Sequence, residues 1–469
     1  MVRTPNDSTS VGGVPDPRSD TSLLLPPRAR LLHIGPMKTG TTSLQMAARG
    51  RRDVLLEHGV RYPGSAVNHR RELGALMGWS VNTWNRAGRL HPDLLDVDKP
   101  GVPPRKDWDR LMTEVEADHE RRIFLTHEFV SQADDEVAQR LVSAIGERIH
   151  VCLTLRAPGQ IVPSLWAQGM RDDAQTEPFE DWLTRFFGRD AEHPISGRYQ
   201  RAYDQSDLVE RWARLVGPEN VTVIVVDKSN PGLLTGSFEE MLGLPTGTLD
   251  WKRTNESLTA IDAELFRHVN AEITERGASW STFHNLVREG TMRLGPERRA
   301  PLPGEPRVVL PPWAAEITDQ DGRRFADEIA RSQVRVVGDL ENLATPARRA
   351  QWEPVQDVPI EIAANAVSGA ILAGQKARAT LKKQIRAQSD ELEQLRARLA
   401  ERNAELGRMR TERNDRAEQH NSAAQASGSH QPSPAEQLMH TARERTAQLR
   451  RRAAQRLWPG AVNRSGEPQ

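Results

Sequence analysis

Lys38 lies inside a glycine-bounded loop among four hydroxyl-bearing residues, a grouping that could hold an anion. Residues 31–45 read LLHIGPMKTGTTSLQ, an apolar run, a turn opened by Gly35, and an amphipathic run carrying Leu44, Ala47 and Ala48. Such a strand–turn–helix leaves backbone N–H groups facing outward at the helix start, where they attract negative charge. Lys38 adds a point charge, and Thr39, Thr41, Thr42 and Ser43 add donors. Two other groups could act beside it. Arg156 ends the apolar run 151–155, and Ser164 follows eight residues later in a helical pattern. A guanidinium fork matches a phosphate bidentately. Thr126, His127 and Glu128 follow the apolar run 123–125, and either His127 or Glu128 could take a proton from a hydroxyl.

The loop is not that of a nucleoside triphosphatase. That pattern, GxxxxGK[ST], needs lysine directly after its second glycine. Gly35 and Gly40 have the spacing, but Thr41 stands at the lysine's place and Lys38 lies within the loop. The residues instead resemble sulfotransferases that use 3′-phosphoadenosine 5′-phosphosulfate (PAPS), whose phosphosulfate loop reads roughly P-K-[ST]-G-T-T. Residues 36–42 match it with Met37 inserted before the lysine. The pair Arg156 and Ser164 resembles that family's grip on the donor's 3′-phosphate. Thr126-His127 resembles the latter half of the Lys-Thr-His of cytosolic members, with Leu125 replacing the lysine, while glycan-modifying and bacterial relatives use a glutamate, as at Glu128. The choice of base stays open between His127 and Glu128.

The resemblance spans roughly residues 30–345 and implies an α/β fold, a central parallel sheet flanked by helices. It implies PAPS as co-substrate, no metal, and transfer of a sulfuryl group to a hydroxyl or amine, with a carbohydrate or glycolipid as the expected acceptor. Lys38 and residues 39–43 would hold the 5′ end, and Lys252 and Arg253 fall where a late basic loop would assist the 3′-phosphate. The cytosolic Arg-Lys-Gly pattern is missing there, and Ser43 replaces the tryptophan that stacks on adenine in those members. His69, before an apolar helical run with Arg70 and Arg71, could face an acceptor or simply begin a solvated helix. Two rivals stand beside this reading: a non-catalytic nucleotide-binding scaffold carrying an interaction helix, and a P-loop kinase, which Thr41 disfavours.

The elements that must position these residues follow from pattern. Apolar runs at 31–34, 123–125, 151–155 and 221–226 predict buried parallel strands, separated by helical segments. Residues 260–345 predict a mainly helical stretch with a proline-rich break. Residues 1–28 are rich in Pro, Ser, Asp, Thr and Gly and predict a disordered leader; 29–350 form the catalytic domain. Leu381, Ile385, Gln388, Leu392, Leu395, Leu399, Arg402, Leu406 and Met409 alternate three and four apart, predicting a coiled coil within 360–420 that meets a second copy or another helix. Residues 421–434 predict a flexible linker, and 435–469 a basic amphipathic tail able to touch an anionic membrane surface.

Composition sets outer limits. The 64 basic and 64 acidic residues leave no global field, so net charge implies no nucleic-acid partner. One cysteine, Cys152, rules out an internal disulfide and a CxxC metal site and fits a reducing compartment. No apolar run is long enough to span a membrane, and the N-terminus lacks a signal-peptide core, so a cytoplasmic protein is expected.

Overall fold

The computed structural model describes residues 22–79, 102–172, 174–188, 200–250, 258–279, 282–294, 301, 304–426 and 438–447. Two compact units divide the chain, one through Arg378 and one from Ala379.

In the first unit six parallel strands form one sheet in the order β2-β3-β1-β4-β5-β6. The chain runs β1 (Arg30–Ile34), α1 (Thr41–Gly50), α2 (Arg52–Glu57), β2 (Val60–Arg61), α3 (Arg70–Met77), α4 (Arg105–Glu116) and β3 (Arg122–Thr126). It continues with a 3₁₀ turn (Glu128–Gln132), α5 (Asp135–Ile145), β4 (Ile149–Leu155), α6 (Pro158–Asp172), α7 (Phe179–Phe187), α8 (Gln205–Val216) and β5 (Val221–Val225). Then come α9 (Gly232–Leu242), α10 (Ala260–Glu275), a π-helix (Phe283–Leu294), α11 (Pro312–Arg331), β6 (Arg335–Val337), a 3₁₀ turn (Leu340–Ala344) and α12 (Ile360–Ala426). This is the expected class: a parallel sheet flanked by helices, followed by a long C-terminal helix.

The strands are apolar on both sides because both faces are covered. Side chains alternate, so Leu31, Phe124, Cys152 and Ile224 pack on one face beneath Leu44 and Ala47 of α1 and Phe238 and Met241 of α9. Leu32, Ile34, Leu125, Leu153 and Val223 point the other way, against helices that include α5, α8 and α11. A third cluster joins α6, α7, α10 and the π-helix around Trp166, Phe179 and Phe266. The chain leaves β1 for β2 on one side of it, and β4 lies on the other. The carboxyl ends of β3, β1 and β4 therefore form the switch point where open α/β sheets bind ligands.

Three local expectations need correcting. Leu25, in the stretch read as disordered leader, is buried, and its amide donates to the Met241 carbonyl at 2.9 Å. β6 lies in a stretch read as mainly helical; three residues are too few to show a period. Helix α12 also runs through Ala426, into the segment read as linker.

Gly322, within α11, faces the Leu340–Ala344 turn so closely that a Cβ would overlap the Leu343 carbonyl oxygen and stand 3.1 Å from its carbon. Alanine is the better helix former by about 1 kcal/mol, yet backbone cannot move aside as a flexible side chain can. Gly322→Ala should therefore lose about 1–3 kcal/mol of stability in urea unfolding, and an unchanged or raised midpoint would show that the turn yields.

Candidate active site

The loop after β1 is held from below by a buried hydrogen-bond chain. Continuing the strand alternation by one step, His33, Thr126 and Thr154 fall on the face beneath α1, each near its strand's carboxyl end. The His33 Nδ1 lies 2.9 Å from the Thr126 hydroxyl and its Nε2 3.2 Å from the Thr154 hydroxyl. Thr154 meets the Thr39 hydroxyl at 2.8 Å, and Thr39 donates to the Pro36 carbonyl at 2.8 Å. Burial lowers the His33 pKa to about 3, so the ring is neutral at physiological pH. Gly35 makes room for this chain: a Cβ there would overlap the Thr154 hydroxyl and come 2.6 Å from that of Thr39.

Above the chain, the backbone turns sharply. Lys38 has φ +76° and Gly40, the residue preceding α1, φ +95°. The left-handed region costs a lysine on the order of 1 kcal/mol, a strain that persists only where surroundings impose it. Arg156 imposes it here, its Nη1 donating to the Lys38 carbonyl at 2.9 Å. Gln205 secures Arg156 in turn, accepting from its amide at 3.0 Å and donating to its carbonyl at 2.8 Å. No side chain caps α1, so its first amides lack partners within the helix and face the loop.

The Lys38 ammonium makes no hydrogen bond or ion pair among the described residues. Burial lowers its pKa to about 8; Arg171 pushes the same way, Asp172 pulls against it, and Arg156 adds a weaker push downward. Asp172 is shared, lying 3.3 Å from Arg171 Nε and 3.2 Å from Arg288 Nη2 of the π-helix. Three cations, Arg171, Arg288 and Lys38, thus draw on one carboxylate. Ser164 belongs to this side: its hydroxyl donates to the Gln160 carbonyl at 3.2 Å, while the Gln160 side chain accepts from Arg156 Nε at 3.0 Å.

On the other side of the loop stands an acid–base pair. His127 Nδ1 lies 3.2 Å from Glu128 Oε2, which also accepts from Gln45 Nε2 of α1 at 3.1 Å. Gln45 further donates to the Thr126 hydroxyl and accepts from Asn68. Burial alone would raise the Glu128 pKa, but the His127 imidazole and the bonds from His127 and Gln45 outweigh it and hold the carboxyl at about 2. His127 is 1% exposed and the Glu128 side chain 20%, so the carboxylate is the member that reaches the surface.

Not every expected residue joins this site. His69 is buried, with Nδ1 accepting from the Thr126 amide at 3.1 Å and Nε2 facing the Pro63 carbonyl at 3.1 Å. Both ring nitrogens serve the backbone, so His69 fixes the approach to α3 and offers nothing to an acceptor. The Thr39 hydroxyl is likewise spent inside the protein, leaving its amide. Thr41 is buried, Thr42 exposed and Ser43 half-buried at the start of α1. Lys252 and Arg253 lie outside the described residues. His33, Gln45, Thr154, Gln160, Asp172, Gln205 and Arg288 were not anticipated. The one signal for His33 and Thr154 was a polar residue near the end of an otherwise apolar strand.

A lysine whose pKa is lowered loses its charge as pH rises through the folded-state value, here about 8. Calorimetric affinity for inorganic sulfate, whose charge is constant over this range, should therefore weaken between about pH 7 and 9 in the wild type. It should stay nearly flat over that range in Lys38→Met, and equal slopes in the two proteins would place the anion elsewhere.

No family model matches the chain, and no curated protein matches it. A crystal structure of a sulfotransferase from Alicyclobacillus acidocaldarius is similar at 19% identity and a TM-score of 0.36, covering 53% of this chain and 95% of that one.

Proposed function

We propose that the chain is a sulfotransferase that moves a sulfuryl group from PAPS to a hydroxyl or amine. The observation that carries the reading is the Lys38 ammonium, unpaired among the described residues and set in a strained loop at the uncapped start of α1 with Arg156 bound to its carbonyl. An excess of positive charge that the protein leaves uncompensated is costly until an anion arrives. A donor with phosphate at both ends fits: the loop amides and Lys38 for the 5′ end, Arg156 and Ser164 for the 3′-phosphate. The sulfur–oxygen bond to the donor breaks, a bond from sulfur to the acceptor forms, and Lys38 neutralises charge on the departing phosphate oxygen. Fixed donors aimed at developing charge are usually the largest catalytic contribution. The acceptor's proton passes to the His127–Glu128 pair, with Glu128 as the member facing the acceptor and His127 holding it. A carbohydrate or glycolipid is the proposed acceptor class.

Thr41 in place of a Walker lysine disfavours phosphoryl transfer from a nucleoside triphosphate. Among the described residues no group of three or more His, Cys, Asp or Glu side chains is placed to hold a metal ion. Among them, too, no helix is long and apolar enough to cross a membrane. Outward of residue 447 the basic tail lies outside the described residues; Leu438 and Met439, on the helical segment 438–447, are exposed. Contact of this tail with a membrane surface remains a proposal.

The test is release of 3′-phosphoadenosine 5′-phosphate (PAP) from PAPS in EDTA, with pooled oligosaccharides and glycolipids as acceptors. Lys38→Ala should be slower by about 100-fold or more. Acceptor-independent or absent release in the wild type counts against the reading.

Glu128→Gln should lower kcat by about 100-fold or more. Since His127 is what keeps the Glu128 carboxyl acidic, His127→Asn should move the acidic limb of the pH–rate profile to higher pH. Full activity in Glu128→Gln would remove that residue from proton transfer.

A further inference from the structure

Among the described residues the apolar seam of α12 is exposed. Its apolar members between residues 381 and 409 are 50–64% exposed. Isolated apolar stripes of this kind drive helices to pair. The same register extends toward the N-terminus of α12 through Ile360, Val367 and Ile371, which are 77%, 60% and 57% exposed, with Ala364, Gly374 and Arg378 at the positions between. In that first part the helix already uses a different stripe, Ile362, Ala366 and Ala373, to pack on its own domain. Gly290 of the π-helix lies so close there that a Cβ would stand 2.8 Å from the Ala370 Cα. The exposed stripe is therefore surplus to the domain's own packing.

From these observations we infer that the partner is a second copy of this chain, joined in parallel and in register as a two-stranded coiled coil. Charge selects the orientation. With Ile385, Leu392, Leu399 and Leu406 at the first seam position of each heptad, the flanking positions carry Glu391 and Glu405 on one side and Arg396 and Arg410 on the other. In a parallel pair each such glutamate meets the residue five further on in the second helix. Glu391 then faces Arg396 and Glu405 faces Arg410, while the equivalent partners of Gln384, Arg398 and Glu412 are Ser389, Asn403 and Ala417. Every charged encounter is attractive. An antiparallel pair sets like flank against like, and one flank carries Lys382, Arg396 and Arg410. That arrangement gathers cations together.

The seam's polar members select the strand number. Gln388 and Arg402 lie at the second seam position. In a two-stranded coil a long side chain can carry its head to the edge, and Arg402 already leans toward its own Glu405, at 3.6 Å. Three or four strands would enclose that charge at high cost.

The test uses the full-length protein. Light scattering during gel filtration should give twice the 52.5 kDa chain mass. Oxidised Leu395→Cys and, separately, Leu381→Cys should each form a covalent dimer, since two distant seam positions both adjoin their own copies only in a parallel, in-register pair, whereas an antiparallel pair does so only at its midpoint. Cys152 is buried, so the wild type supplies no background. Glu391→Arg with Glu405→Arg should weaken the dimer about tenfold or more, and adding Arg396→Glu with Arg410→Glu should restore it. A single-chain mass at tens of micromolar, a trimer or tetramer mass, a dimer in which either cysteine variant fails to cross-link, or failure of the charge swap to restore pairing would each overturn the inference.

Discussion

A single buried hydrogen-bond chain governs the site: Thr126 to His33 to Thr154 to Thr39 to the Pro36 carbonyl. It ties the ends of three neighbouring strands to the loop that follows the central one. The chain needs a group with a hydrogen-bonding atom at each end, rigid and about the width of a strand spacing, and a neutral imidazole meets that need. Burial keeps His33 neutral, so the link introduces no charge beneath the loop that carries Lys38. Gly35 is the geometric counterpart, since any side chain there would enter the space that the Thr39 and Thr154 hydroxyls share.

That anchored floor lets the upper side of the loop be unfavourable to itself. Lys38 is left-handed, partly desolvated and flanked by Arg156 and Arg171, with Asp172 already shared between Arg171 and Arg288. Each of these features costs stability, and together they describe a place prepared for negative charge from outside. Across the loop, Gln45 connects α1, the helix that follows the Lys38 loop, to Glu128 and Thr126. A shift in α1 would be felt by the carboxylate, which gives the two halves of the site a physical link.

Much of this was legible in the sequence, for reasons that can be named. Strands β1, β3, β4 and β5 are buried on both faces and so appear as apolar runs, and Lys38 with its glycines and hydroxyls is a contiguous motif. Helix α12 announced its seam by period. What stayed hidden depends on strand order: His33 and Thr126 are 93 residues apart and meet only because β3 pairs with β1. Arg288 and Asp172 meet across 116 residues through the packing of the π-helix on α6. His69 misled because a histidine beside arginines at a helix start looks the same whether it faces solvent or, as here, spends both nitrogens on backbone.

On the proposed reading the loop, Lys38 and Arg156 form one site for a nucleotide bearing phosphate at both its 3′ and 5′ positions. Calorimetric titration with PAP in EDTA, set beside adenosine 5′-phosphate and beside the Arg156→Ala variant, tests it most directly. PAP should bind the wild type saturably and adenosine 5′-phosphate much more weakly, a preference that Arg156→Ala should lose. Equal affinity for the two nucleotides, or binding only of ATP with magnesium, would contradict it.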